Sequence, residues 1–104
     1  MEASKTTKTL RPVIVRAYSG VFFGLLVSKE GSSVELKDAR QIWSWDSTGM
    51  PEKIMTCGDI ARIGVGSGSK VSGPADAVIE QVGVMFFASD EAAEKIGAQK
   101  WAKI

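Results

Sequence analysis

The chain has 104 residues, enough for one domain and too few for two. Hydrophobic residues make up 44% and charged residues 24%, a balance that excludes an intrinsically disordered chain. The net charge is +1, from 13 basic and 12 acidic residues, and the basic ones are scattered rather than gathered into the stripe of a duplex nucleic-acid binder.

Residues 1–11 are polar, carry Lys5, Lys8 and Arg11, and read as a flexible arm ahead of one strand-rich domain over residues 12–104. No signal sequence is expected. The longest apolar run, Val21 to Val27, contains Gly24 and falls well short of the roughly 20 residues that cross a bilayer. After Pro12, the β-branched Val13, Ile14 and Val15 open a first strand that continues to Tyr18. Ser19-Gly20 is a turn signal. Val21 to Ser28 is a second strand, apolar enough to have both faces covered. Gly31 supplies the positive φ of the next hairpin.

Val34 to Lys37 alternates as a third, half-buried strand, Asp38-Ala39 breaks it, and Arg40 to Trp45 is a fourth. In that fourth strand Gln41, Trp43 and Trp45 share one face, and Arg40, Ile42 and Ser44 the other. Pro51 suits the first position of a short helix running to Cys57. Ile60 to Ile63 reads as a further short strand or turn. Gly64 to Pro74 is rich in Gly and Ser and reads as a mobile loop. Val78 to Phe87 is expected to be a strand closing the sheet, with Gly83 as a bulge. Ser89 is a helix N-cap, Asp90 and Glu91 favour the first turn, and Gly97 is placed to end the helix. Trp101 and Ile104 are expected to fold back onto the sheet or a neighbour. The fold class is therefore mainly β: a small antiparallel sheet or partly closed barrel with a short C-terminal helix.

One cysteine, Cys57, and no histidine leave neither a disulfide framework nor a plausible zinc ligand set. A lone thiol suits a reducing compartment. The commonest general acid–base residue is missing too. No catalytic constellation, metal site or cofactor is expected. Asp, Glu, Lys, Tyr and one unactivated Cys are what remains for chemistry.

The stretch Gly64 to Ser69 invites a phosphate-loop reading. Here Lys70 follows a serine, Val71 follows the lysine, and Pro74 argues against the required helix. A surface loop is the better reading, with Gly66, Ser67 and Lys70 as candidates for a lid over a ligand. Trp43 and Trp45, two apart on a strand, are about 6.6–6.8 Å from each other along the chain and would grip a planar ring. They serve equally as core or as an oligomer interface. Arg40 points either to a phosphate or to Asp38 or Glu35. Arg16 and Tyr18 share a face and read either as a phosphate-plus-base pair or as a solvated sheet surface.

The order of motifs has a likeness. Pro12-Val13-Ile14-Val15-Arg16, Tyr18-Ser19-Gly20-Val21, Phe23-Gly24-Leu25-Leu26 and Ala39-Arg40-Gln41-Ile42-Trp43-Ser44-Trp45 follow one another, and Ala88-Ser89-Asp90-Glu91-Ala92 closes the series. This resembles a family of small proteins encoded by tailed phages and prophages, in which I-V-R-T-Y-S-A-G-V leads to F-G-T-L and then to N-A-R-R-I-W-x-W. Gln41 stands where that pattern has a second arginine, and Met50 to Ala77 departs from it. The resemblance implies a phage accessory product acting in the host cytoplasm. Among such products are anti-defence sponges, including those that counter Thoeris immunity. On this analogy the chain would be a homo-oligomer sequestering a cyclic or ADP-ribose-type nucleotide at a subunit boundary. Arg16, Tyr18, Arg40, Trp43 and Trp45 would hold the ligand, with no duplex nucleic acid and no membrane involved. The alternative is a protein–protein interaction module: a virion or assembly component, or an inhibitor of a host protein, with Trp43, Trp45 and Trp101 as anchors.

Overall fold

A computed structural model describes residues 10–99; the expectations for residues 1–9, Trp101 and Ile104 lie outside the described residues. In chain order the elements are β1 (Arg11–Ala17), β2 (Gly20–Glu30), β3 (Ser33–Ser44), α1 (Cys57–Ile63), β4 (Lys70–Val71), β5 (Ala75–Ile79), β6 (Val82–Phe87) and α2 (Asp90–Gly97). The strands form one antiparallel sheet in the order β4-β3-β2-β1-β6, with β5 also pairing with β3. The protein is β-rich with two short helices among the described residues, one of them C-terminal, as the residue pattern implied. Arg11, assigned to the arm, is the first residue of β1.

The sheet cannot be flat. Only Glu80 and Gln81 separate β5 from β6, so Ile79 and Val82 lie within about 11 Å of each other. A flat sheet would hold β5 and β6 four strand spacings apart, about 19 Å. The sheet therefore curls until its edges approach, and the Val82 N–H donates to the Ser32 carbonyl in the β2–β3 turn at 2.9 Å. Gly24 makes the bend feasible. A Cβ there would stand 3.0 Å from Leu36 Cβ and 3.2 Å from Ala39 Cα, so β3 crosses β2 where a side chain is missing.

Curling creates two cores. On the concave side Val13 and Val15 of β1 meet Val34, Leu36 and Ala39 of β3 and Ile79 of β5. On the convex side Ile14, Phe23 and Ile42 pack under both helices, through Ile60, Ala61, Ile63 and Ile96. The three branched residues of β1 are fully buried, on alternate faces, each contributing about 1.5–3 kcal/mol of burial. The strand covered on both faces is thus β1. In β2 only Phe23 and Gly24 are buried, and Val27 is exposed, contrary to the expectation from its apolar run.

Other boundaries move for identifiable reasons. The third and fourth predicted strands are one strand, β3: Asp38 adopts φ 54°, the register slips between Leu36 and Ala39, and the ladder continues. The Asp38 N–H, freed by that bulge, donates to Asp76 Oδ1 at 3.0 Å. The predicted helix from Pro51 ends where α1 begins. Thr56 is the N-cap: its Oγ1 accepts from the Asp59 N–H at 3.2 Å, and Asp59 Oδ2 accepts from the Thr56 N–H at 3.1 Å. This reciprocal cap outweighs proline's preference for a first helical position. Ile60 to Ile63 is accordingly helix rather than strand or turn. The predicted single strand Val78 to Phe87 is split by Gln81 at φ 55° into β5 and β6, while Gly83 is the expected bulge opposite Arg16 and Ala17. Ser89 caps α2 as expected, accepting from the Ala92 N–H at 3.0 Å. It also joins the helices, its Oγ donating to the Arg62 carbonyl at 2.8 Å. No helix of the described residues is long and apolar enough to cross a membrane.

Candidate functional site

The convex face of the sheet is not wholly covered. Beyond the start of α1, neighbouring strands present Val21 (β2), Arg16 (β1), and Val84 and Phe86 (β6) side by side, since Arg16 pairs with Val21 on one side and Val84 on the other. These four floor a cleft of about 700 Å³. Met55, Thr56, Cys57 and Gly58 form one wall, and Trp45 contributes another. That size suits a small organic ligand. Gly58 lets α1 start close against the floor, where an added Cβ would touch the Phe86 ring at 3.7 Å.

The lining is apolar apart from one charge. Arg16 brings an exposed guanidinium to the floor, and no carboxylate lines the cleft. No ion pair among the described residues involves Arg16. A guanidinium fork of this kind matches an anionic oxygen, and Trp45 and Phe86 provide flat apolar surfaces nearby. Burial pushes the Cys57 thiol up, and the Arg16 charge pulls it part of the way back. The thiol is thus protonated at neutral pH and presents a small, soft, weakly polar surface.

Of the five residues proposed from sequence, this cleft unites Arg16 and Trp45. Tyr18 lies in the β1–β2 turn rather than on the strand and is 91% exposed. It borders a shallower recess of about 350 Å³ that shares Arg16 and Val84 with the cleft. Trp43 and Trp45 do not form a clamp. β3 ends at Ser44, and Trp45 beyond it turns in against the convex core, whereas Trp43 stays on the strand and is exposed.

Arg40 faces neither a phosphate pocket nor Asp38 nor Glu35. It is buried, and its guanidinium donates to four backbone carbonyls: Ser72 at 2.7 Å from Nε, Ile96 at 2.8 Å and Gly97 at 3.1 Å from Nη1, and Gln99 at 2.8 Å from Nη2. Three of those carbonyls lie at the C-terminal end of α2, where helix carbonyls lack partners and the dipole is negative. Arg40 is a structural cap.

The lid residues are built into the fold. Asp46 organises them: its carbonyl accepts from the Gly66 N–H at 2.8 Å, and its Oδ1 from the Gly68 N–H at 3.2 Å. The Ser67 N–H donates to the Thr48 carbonyl at 3.1 Å, and Lys70 pairs with Ser44 as part of β4. Gly66, Ser67 and Lys70 do not line the cleft. The residues that sequence reasoning missed are Val21, Met55, Thr56, Cys57, Gly58, Val84 and Phe86. Val84 and Phe86 had a signal, being two apart beyond a glycine bulge. The Met55–Gly58 wall had one in the T-x-x-D cap at Thr56.

A family model described as "Domain of unknown function (DUF6948)" matches residues 10–96, which include every residue of the cleft. Neither the curated proteins nor the solved structures contain a match to the chain.

Proposed function

We propose that this chain, which belongs to the DUF6948 family, is a non-enzymatic binding protein whose convex cleft holds a small, planar, anionic molecule of nucleotide type. The observation that carries this reading is one exposed guanidinium, Arg16, with no ion pair among the described residues, on the floor of an otherwise apolar cleft flanked by Trp45 and Phe86. An isolated cation among apolar walls favours a ligand with one anionic end and one flat face. Stacking on an aromatic side chain contributes about 1–3 kcal/mol, and a bidentate arginine fixes the orientation.

In the setting implied by the likeness to phage accessory proteins, the ligand is a nucleotide immune signal of the cyclic or ADP-ribose kind, held and withheld from its receptor in the host cytoplasm. Sequestration needs slow release rather than turnover, so a protonated Cys57 and the lack of histidine are compatible with it. Calorimetry against cyclic dinucleotides and cyclic ADP-ribose isomers tests the proposal. A binding isotherm that Arg16→Ala weakens at least tenfold supports it; no heat and no thermal shift with any member of the panel removes it.

A second reading, a protein–protein interaction module, is favoured by the exposed large side chains of Tyr18, Met55 and Val78. Capture of one stoichiometric host or virion partner from infected cells, together with silence in calorimetry, would favour this reading.

A further inference from the structure

The convex cleft does not end at Arg16. The recess of about 350 Å³ beside it shares Arg16 and Val84 with the cleft, so the two depressions meet across that pair of ladder partners. The recess lies at the end of the sheet, between two turns. The Tyr18 N–H of the β1–β2 turn donates at 3.4 Å to the carbonyl of Gln81, which separates β5 from β6, and both residues line the recess. Gly83 lines it as well and leaves it unfilled: an added Cβ there would meet only the Arg16 carbonyl, at 3.7 Å.

Each depression offers an aromatic ring. The cleft has Trp45 and Phe86, and the recess has Tyr18. Tyr18 is 91% exposed, so its ring packs against almost nothing in the fold and keeps its apolar faces uncovered. It stands two positions from Arg16, within about 7 Å along the chain. Charge is sparse by comparison. Among the described residues lining either depression, Arg16 alone is charged.

We propose that the ligand is two-headed: two bases joined through a phosphodiester, with the phosphodiester on Arg16. One base lies in the cleft against Trp45 or Phe86, and the other lies in the recess against Tyr18. This deepens the ligand-binding reading above and rests on it. A phosphodiester carries a single negative charge, which one guanidinium balances. A terminal phosphate carries nearly two at neutral pH, and the surplus would sit uncompensated over apolar walls. A longer single strand needs a cationic groove that follows its backbone, and no second cation lines either depression among the described residues. The arrangement therefore favours a free dinucleotide over a mononucleotide, a one-base ADP-ribose derivative or a polymer.

Calorimetry on the whole chain tests this with probes that differ in the number of bases. Adenylyl-adenosine and cyclic di-AMP are compared with 3′,5′-cyclic AMP, which has one base and one phosphodiester, and the guanine counterparts are treated alike. At least one two-base probe is expected to bind about tenfold more tightly than its one-base counterpart, as one further stacked base provides. Tyr18→Ala should abolish that advantage and leave the one-base affinity unchanged. Tyr18→Phe should preserve it, and Arg16→Ala should weaken both kinds of probe. Because Tyr18 is exposed, thermal melts of its variants should match the wild type.

One-base binding as tight as two-base binding overturns the two-headed ligand and leaves the nucleotide reading in place. So does a two-base advantage that survives Tyr18→Ala. A single-stranded oligoadenylate that binds more tightly than adenylyl-adenosine and cyclic di-AMP overturns the choice of a free dinucleotide. Silence from every probe removes the nucleotide reading itself and this inference with it.

Discussion

The Nη1 of Arg40 donates to the Ile96 carbonyl over 2.8 Å, linking the middle of β3 to the last turn of α2 across 56 positions of sequence. The same guanidinium holds Ser72, Gly97 and Gln99. Without it, the Ile96 carbonyl would keep only the backbone N–H groups of Ala98 and Gln99, and the partly buried bonds to Ser72, Gly97 and Gln99 would be lost. We expect Arg40→Met to cost about 3 kcal/mol in urea unfolding, a large share of the 5–15 kcal/mol usual for a domain. Arg40→Lys should recover only part of this, since an ammonium cannot spread its donors over a fork. Amide exchange in α2 should accelerate more than in β1. Uniform acceleration would mean that Arg40 supports the fold in general rather than this helix end.

The Asp46 loop gives a second expectation. A methyl group at Gly68 would overlap Asp46 Oδ2, and one at Gly66 would overlap the Thr48 N–H. Gly68→Ala should therefore destabilise by about 2–3 kcal/mol, more than Asp46→Ala at about 1–2 kcal/mol, which only removes hydrogen bonds. Thermal melts of the two variants and the double mutant measure this. In the Asp46→Ala background the Gly68→Ala cost should shrink sharply, because the obstructing carboxylate is gone.

Gly24 offers a test of the bend. The nearest atoms to an added Cβ are the Leu36 side chain and the Ala39 backbone, and backbone cannot step aside cheaply. Gly24→Ala should lose about 1–3 kcal/mol. Adding Leu36→Ala would remove the Leu36 Cδ1 contact but leave those with Leu36 Cβ and the Ala39 backbone, so rescue should be incomplete. Full rescue would locate the constraint in the Leu36 Cδ1 contact alone.

Cys57 and Arg16 carry a pH-dependent prediction. Burial raises the folded thiol's pKa, and the Arg16 charge lowers it in part. Alkylation by iodoacetamide should be slow at neutral pH and rise only above the ordinary thiol range. Arg16→Ala removes the lowering influence, so alkylation near pH 9 should fall further, by a few-fold, on a log-rate plot shifted to higher pH. The linkage has the matching sign. The unfolded chain releases this proton first, so the thiol's contribution to stability is complete below its unfolded pKa. It is lost as pH rises through the folded one. Cys57→Ser should flatten that alkaline limb. Faster alkylation in Arg16→Ala would place the guanidinium elsewhere than in the cleft.

Much of the local architecture was written in local residues. The branched run Val13-Ile14-Val15 made β1, Gly31 at φ 60° made the long hairpin's turn, Gly83 made the bulge, and Ser89 with Asp90 and Glu91 started α2. Each depends on backbone sterics or a cap within a few positions, so the sequence itself determined them. The errors have the opposite character. Asp38 looked like a strand break, but pairing of Leu36 and Ala39 with β5 carries β3 through it. Arg40 looked like a ligand-binding group because its acceptors, from Ser72 to Gln99, are far away in sequence. Trp43 and Trp45 looked like one face until β3 ended between them. The cleft itself joins residues 16 to 86, drawn from three strands and a helix start. Only the curl of the sheet decided which of these meet, because a side chain's fate depends on free energies of contact between segments that no local pattern relates.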